Sequence, residues 1–137
     1  MAAELVPIKF HKILQTRSYT VVILGTEEKK FAIYTDPTIG RVIQMHLTET
    51  EKPRPFTHDL LQMIFNGLDV RVLQVVINDV QDTIYYARLF LEQVQGEIHQ
   101  ILELDARPSD CLTLALMNHI PLFCAREVLE KAVAIDD

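Results

Sequence analysis

The sequence has few of the residues that build disulfide-stapled, zinc-binding or membrane-spanning proteins. Its two cysteines, Cys111 and Cys124, lie in apolar segments without a C-x-x-C spacing, so we expect reduced, buried thiols. No apolar run approaches the roughly 18 to 20 residues that span a bilayer. The start of the chain also lacks the basic and apolar regions of a signal peptide. These absences predict a cytoplasmic protein that does not use a membrane as a partner.

Several catalytic and nucleotide-binding signatures are missing as well. The chain has no Walker loop, no G-x-G-x-x-G and no G-x-S-x-G, so we expect no organic cofactor and no common hydrolase template. His11, His46, His99 and His119 show neither H-x-x-x-H nor H-E-x-x-H spacing. A dedicated zinc site is therefore not predicted.

Positive charge is sparse. The chain has 13 Lys and Arg against 19 Asp and Glu, for a net charge of -6. The basic residues are scattered and form no dense patch, although proteins that hold nucleic acid through many phosphates usually present a basic face. Any activity on nucleic acid is therefore expected to be local, metal-assisted or weak.

The pattern of apolar residues predicts one α+β domain over residues 1–137. A chain of 137 residues with 49% hydrophobic content can bury a core without disulfides or metals. Period-two and β-branched segments predict strands at 5–14, 19–24, 30–34, 70–77, 83–93, 97–104 and 121–124. Helical spacing predicts helices at 37–47, 57–66, 110–117 and 126–134. This order indicates two mainly antiparallel β-meanders with helices packed on the sheet.

Two predicted helix starts share one design, and they carry most of the residues with chemical potential. Residues 54–59 read Arg-Pro-Phe-Thr-His-Asp and residues 105–110 read Asp-Ala-Arg-Pro-Ser-Asp. In a structural interpretation, Thr57 and Ser109 are N-caps, the acids complement the helix dipoles, and Arg107 pairs with a carboxylate. Both motifs would then serve only to begin helices.

A functional interpretation of the same motifs applies if the two helix starts converge. His58 would then act as a general acid or base, and Arg107 would hold a phosphate. Asp59, Asp105 and Asp110 would bind a hard cation such as Mg²⁺ through carboxylate oxygens. The sequence leaves both interpretations open.

Four segments of the chain resemble the bifunctional nuclease domain family. They are residues 54–61 (RPFTHDLL), 75–79 (VVIND), 86–89 (YARL) and 105–111 (DARPSDC), and the likeness extends over about residues 6–132. The resemblance implies a compact α+β domain, found in bacteria and within longer plant proteins, that acts on DNA and RNA. Residues 31–41 depart from the family pattern, so we assign no site residue there.

The resemblance also implies roles for the residues of the two helix starts. The implied catalytic residues are His58, Asp59, Asp105, Arg107 and Asp110. The implied substrate-binding residues are Arg54, Thr57 and Ser109, and Asp59, Asp105 and Asp110 are the implied ligands of Mg²⁺ or Mn²⁺. The first functional hypothesis is thus a metal-assisted nuclease that cleaves DNA or RNA. The alternative is a non-catalytic binding or regulatory module that forms a homo-oligomer, which the acidic net charge favours.

Overall fold

A computed structural model describes residues 4–135 of the chain as seven strands and four helices. The strands are β1 (Leu5–Gln15), β2 (Thr20–Gly25), β3 (Lys30–Thr35), β4 (Val70–Gln81), β5 (Ile84–Gln95), β6 (Ile98–Ala106) and β7 (Leu122–Ala125). The helices are α1 (Pro37–Leu47), α2 (Thr57–Gly67), α3 (Pro108–Asn118) and α4 (Arg126–Lys131). Each predicted strand and helix is confirmed, and α4 ends three residues earlier than predicted because Ala132 has an extended backbone.

The seven strands form one sheet in the order β3-β2-β1-β7-β4-β5-β6. Short turns join β1 to β2 and β2 to β3, and likewise β4 to β5 and β5 to β6. Each group of three consecutive strands is therefore an antiparallel meander. The short strand β7 joins the two meanders, because it pairs antiparallel with β1 and parallel with β4. The predicted α+β class with two mainly antiparallel meanders is therefore confirmed.

The hydrophobic core is continuous across the sheet and the helices that pack on it, and α3 lies at its centre. Helix α3 is buried on most of its circumference, since residues 111–115 are all buried. Cys111 and Cys124 are free and buried, and burial raises the pKa of each thiol to about 12. At neutral pH both thiols are protonated, which fits packing rather than reactivity.

The sheet curves, because the edge strand β3 contacts β5 although four strands lie between them in the sheet order. Phe31 on β3 stacks on Tyr85 at the start of β5, with ring centroids 5.2 Å apart. Residues from the end of β3 and from the start of α3 therefore line one small depression. This curvature places α1, which follows β3, next to the start of α3.

Gly40 lets α1 lie directly against β2. A Cβ at this position would overlap the buried side chain of Thr20, whose hydroxyl donates to Gln15 at 2.7 Å. A glycine in the interior of a helix usually weakens that helix. In the fold Gly40 sets the close approach of helix and strand.

Among the described residues, no helix is both long and apolar enough to cross a membrane. The longest of these helices has 11 residues.

Candidate functional site

The starts of α2 and α3 lie side by side, which meets the condition of the functional interpretation. His58, in the first turn of α2, places its Nε2 atom 2.9 Å from Oδ1 of Asp110, in the first turn of α3. The two residues are separated by 52 positions in the sequence. The contact therefore depends on the tertiary packing of α2 against α3.

Asp110 fixes the orientation and the proton position of the His58 ring. The histidine is only 6% exposed, so few solvent contacts compete with the carboxylate. An ionised carboxylate only accepts hydrogen bonds, so Nε2 must carry the proton that lies between the two residues. In neutral His58 the other ring nitrogen, Nδ1, is then the basic atom.

Arg107 holds Asp110 in its ionised form. Its Nε donates to Oδ2 of Asp110 at 3.0 Å, and its Nη2 donates to Oδ1 at 3.4 Å. Burial alone would raise the pKa of the Asp110 carboxyl, but the hydrogen bonds from Arg107 and His58 outweigh burial and lower that pKa. The Arg107 side chain is 68% exposed, so its guanidinium also reaches solvent.

These three side chains line a cavity of about 620 Å³ between α1 and the starts of α2 and α3. Its apolar lining comes from Ile39, Val42, Met45, Pro55 and Phe56. Its polar lining comes from Thr38, Arg41, Thr57, His58, Arg107 and Asp110. The site thus combines a buried histidine, two arginines and an apolar wall that a flat ring could contact.

The contribution of α1 was missed by reasoning from the sequence. Arg41 lies on the exposed side of α1 and places its Nη2 3.4 Å from the hydroxyl of Thr38. In the sequence, the only feature that points to Arg41 is its position directly after Gly40. Gly40 is the residue that lets α1 pack closely against the sheet. Because residues 31–41 depart from the family pattern, the resemblance predicts no site residue on this helix.

Asp59 and Asp105 lie apart from the pair of His58 and Asp110. Asp59 accepts from the Lys52 ammonium at 2.9 Å and from the Phe56 backbone N–H at 2.7 Å. Burial raises the pKa of Asp59, but these two hydrogen bonds lower it below its usual value. The Asp105 side chain is 74% exposed and lies 3.9 Å from Nη1 of Arg88.

The three aspartates predicted as metal ligands are therefore not gathered into one ligand set. Within residues 4–135, no group of three or more His, Cys, Asp or Glu side chains is arranged to hold a metal ion. Both oxygens of Asp110 already accept hydrogen bonds from protein groups. The binding of Mg²⁺ or Mn²⁺ by Asp59, Asp105 and Asp110 stays a prediction, and the side-chain placement does not fit it.

The three residues predicted to bind substrate differ in position. Thr57 lines the cavity, whereas Arg54 is exposed and is not among the lining residues. Ser109 is 7% exposed and lies at the neighbouring depression beside β3 and β5. Of the three, only Thr57 lies in the same cavity as His58.

Both predicted N-caps are wrong by one or two positions. The N-cap of α2 is Phe56, because the Asp59 carboxylate accepts from the Phe56 N–H and the helix begins at Thr57. The N-cap of α3 is Arg107, because Pro108 takes the first helical position, where its fixed φ and missing N–H are tolerated. Neither Thr57 nor Ser109 caps its helix through a side chain.

Comparison with known proteins agrees with the resemblance in the sequence. Residues 22–136 match the sequence model of the bifunctional nuclease domain. Two relatives are "Uncharacterized protein MT1877" and "Uncharacterized protein Rv1829", from the CDC 1551 / Oshkosh and ATCC 25618 / H37Rv strains of Mycobacterium tuberculosis. Each is 26% identical over 123 residues, which cover 88% of this chain and 71% of the relative. The chain belongs to the bifunctional nuclease domain family.

Proposed function

We propose that this domain hydrolyses phosphodiester bonds in DNA or RNA at the cavity between α1, α2 and α3. The observation that carries the proposal is the hydrogen bond of 2.9 Å between buried His58 and Asp110, in a cavity that two arginines also line. A histidine oriented by a carboxylate transfers protons, and guanidinium groups bind phosphate. The family to which the chain belongs supports the same chemistry.

Four residues of the cavity have separate roles in the proposed reaction. His58 accepts a proton at Nδ1 from the attacking water as the new bond to phosphorus forms. The bond from phosphorus to the leaving oxygen then breaks, this oxygen takes a proton from a solvent water molecule, and protonated His58 returns its proton to the solvent. Asp110 positions the imidazole and stabilises its protonated form, while Arg107 and Arg41 balance the charge that develops on the phosphate.

The dimensions and charge of the cavity favour single-stranded nucleic acid. A volume of about 620 Å³ suits a nucleotide rather than a duplex. Phe56 offers an aromatic face for a base, and base stacking tolerates many sequences. With a net charge of -6, the domain has little general attraction for phosphates, so binding would depend on this local site.

The proposal assigns no step to a bound metal ion, because Asp59, Asp105 and Asp110 do not form one ligand set. Mg²⁺ and Mn²⁺ therefore enter the experiment as variables. The test incubates purified protein with labelled single-stranded DNA and RNA, in Mg²⁺, in Mn²⁺ and in a chelator. Wild-type protein should cleave at least one of these substrates.

His58→Gln should lower the cleavage rate by about 10² to 10⁴-fold, the usual contribution of a general acid or base. A matched control is His119→Asn, which changes an exposed histidine outside the cavity. His119 has φ of 53°, and asparagine tolerates this left-handed conformation. The control should cleave at the wild-type rate, and circular dichroism should confirm that both variants are folded.

Two results would contradict the proposal. Equal cleavage by wild-type protein and His58→Gln would identify a contaminating nuclease as the source of activity. Absence of cleavage in every condition would favour the non-catalytic binding or regulatory module.

A further inference from the structure

A recess of about 230 Å³ lies between β3, the turn from β4 to β5, and the segment that follows α4. Most of its lining is apolar and comes from Ala32, Val80, Ala132, Val133 and Ile135. Two tyrosines, Tyr34 and Tyr85, also line it. The recess is smaller than the roughly 300 to 1,000 Å³ of sites that enclose a whole drug-sized ligand. Its size and lining therefore suit one planar ring system.

The two tyrosines of the recess differ in mobility and exposure. Tyr85 stacks on the fully buried ring of Phe31, with an interplanar angle of 16°, so this wall is fixed before a ligand binds. Tyr34 is 61% exposed, and its ring meets that of Tyr19 edge to face, with centroids 5.5 Å apart. Most of the Tyr34 side chain is therefore open to solvent. A fixed wall beside an exposed aromatic ring is the arrangement on which a base stacks at low entropic cost.

The recess also presents polar groups for the edge of a heterocyclic ring. Within residues 4–135, the hydroxyls of Tyr34, Thr83 and Tyr85 make no hydrogen bond to another protein group. Burial raises the pKa of Tyr85 to about 12, so its hydroxyl stays protonated at neutral pH. Each hydroxyl both donates and accepts, and the Asp82 carboxylate in the lining accepts from amino groups. These groups match the mixed donors and acceptors of a nucleobase.

The recess connects with the cavity of His58 by way of the depression beside β3 and β5. Tyr34, Thr83 and Tyr85 line both the recess and this depression, which has a volume of about 380 Å³. Arg107 lines both the depression and the cavity. Three adjoining openings therefore form one groove that leads from His58, past Arg107, to Tyr34.

The charges along the groove distinguish the place of a base from that of a phosphate. At the recess, Lys131 is balanced by Asp82. In the depression, the Asp36 carboxylate accepts from the N–H of Ile39 at 2.9 Å and so caps α1. The recess thus has no excess of positive charge with which to attract a phosphate. The phosphate of a bound strand is expected at Arg107, and a base is expected in the recess.

We propose that the recess binds a base of the single-stranded nucleic acid whose phosphate lies at Arg107, with the base stacked on Tyr34. This inference rests on the proposed function, because it extends the same strand from the cavity into the groove. Phe56 contacts one base in the cavity, and Tyr34 contacts a base farther along the strand. Because the depression separates these two bases, tight binding requires several linked nucleotides.

The first test locates the base by fluorescence. The chain has no tryptophan, so Tyr34→Trp introduces a single indole at the recess. The variant is made in His58→Gln protein, so that an added single-stranded octanucleotide stays intact. Its indole emission should be quenched as the octanucleotide is added, because a base stacks on the ring. Tyr86→Trp in the same protein is the matched control, since Tyr86 is an exposed tyrosine of β5 that does not line the groove, and its emission should stay unchanged.

The second test measures affinity, again in His58→Gln protein. Tyr34→Ala should weaken octanucleotide binding by about 5- to 150-fold, the usual effect of losing one stacked base. Tyr34→Phe keeps the ring, and Tyr86→Ala lies outside the groove, so both should bind as the parent does. A dinucleotide is too short to reach the recess and should bind equally to Tyr34→Ala and its parent. With His58 intact, Tyr34→Ala should raise KM for the octanucleotide far more than it lowers kcat. Circular dichroism should confirm that each variant is folded.

Failure of this inference and failure of the proposed function give different results. Octanucleotide binding that depends on Tyr34, without cleavage by wild-type protein, would support the recess and contradict hydrolysis. Cleavage by wild-type protein, with no quenching in Tyr34→Trp and no loss of affinity in Tyr34→Ala, would overturn the recess and leave hydrolysis standing. Quenching by a free nucleoside as strong as that by the octanucleotide at equal concentration would also overturn the inference, because the recess would then take a separate small aromatic ligand.

Discussion

The starts of α2 and α3 have nearly the same local design but different functions in the fold. In each, an aspartate occupies the third position of the helix, Asp59 in α2 and Asp110 in α3. Asp59 turns back to its own helix start and to Lys52, whereas Asp110 reaches across to His58. The local pattern therefore specifies where a helix begins, and the packing between helices decides which of the two acids contacts His58.

The difference between the two acids follows from the residues that precede them. The loop before α2 carries Lys52, whose ammonium lies 2.9 Å from Asp59. Before α3 the chain leaves the sheet directly at Ala106, and Pro108 begins the helix. The Asp110 carboxylate is not used to bind the N–H of the N-cap residue, so both of its oxygens are available to Arg107 and His58.

The largest expected effect separates the two acids by activity. Asp110→Asn should lower the cleavage rate by about 10² to 10⁴-fold, because an amide no longer requires the proton on Nε2 of His58 or stabilises its charged form. Asp59→Asn keeps a side chain of the same size, so this variant should cleave at a rate within about 3-fold of the wild-type rate. This loss is much smaller than the loss expected for Asp110→Asn. Both rates are measured on the substrate that wild-type protein cleaves.

A double variant controls for independent effects. If Asp110 acts through His58, then His58→Gln combined with Asp110→Asn should lose little more activity than His58→Gln alone. Additive losses would mean that Asp110 acts on the substrate by another route. A loss in Asp59→Asn equal to that of Asp110→Asn would remove the proposed distinction between the two helix starts.

A smaller effect separates the acids by stability. Asp59→Ala removes the acceptor of the Phe56 N–H and should lower the free energy of unfolding by about 1 kcal/mol, as the loss of helix caps does. Glu51→Ala is a matched control, since it removes an exposed acid from the preceding loop. This control should change the stability by less than about 0.5 kcal/mol.

Urea unfolding at neutral pH measures both variants. A loss in Asp59→Ala no larger than that in Glu51→Ala would mean that the hydrogen bond to Phe56 contributes no net stability.

Most of the fold could be predicted from the sequence because its signals are local. The β-branched residues of segment 19–24 predict a strand in which residues 22–24 are buried. The helical spacing of Ile39, Val42 and Ile43 predicts an inward face on which Ile43 is buried and the other two are half-buried. The joining role of β7 could not be predicted, since a strand of four residues pairs with β1 and β4 only through the tertiary fold.

The sequence predicts the two motifs that form the candidate site, but it does not predict how their side chains are placed relative to one another. The sequence pointed to His58, Arg107 and Asp110, yet it treated Asp59, Asp105 and Asp110 as equivalent. Local spacing cannot report that Lys52 neutralises Asp59 or that Asp105 stays exposed at the end of β6. Arg41 enters the cavity through the packing of α1 on the sheet, which no motif records.

The smallest expected effect is a loss of folding stability at acid pH. Measuring this loss tests whether both helix starts stabilise the fold through ionised carboxylates. The pKa of Asp59 and that of Asp110 are each lowered from the ordinary value of 3.8. A lowered pKa in the folded state stabilises the protein above the unfolded value, and this contribution is lost as pH falls through the folded value. Stability should therefore decline below about pH 4 as the unfolded chain takes up more protons.

Variants assign this acid dependence to individual groups. Asp110→Asn and Asp59→Asn cannot ionise at these positions, so each should show a shallower loss of stability below about pH 4 than wild-type protein. The difference in unfolding free energy between wild type and either variant should shrink as the pH falls. A different result would be a difference that stays constant for Asp110→Asn but shrinks for Asp59→Asn. Only the charge at the start of α2 would then contribute to stability. The hydrogen bonds of Asp110 would serve to orient His58 rather than to stabilise the fold.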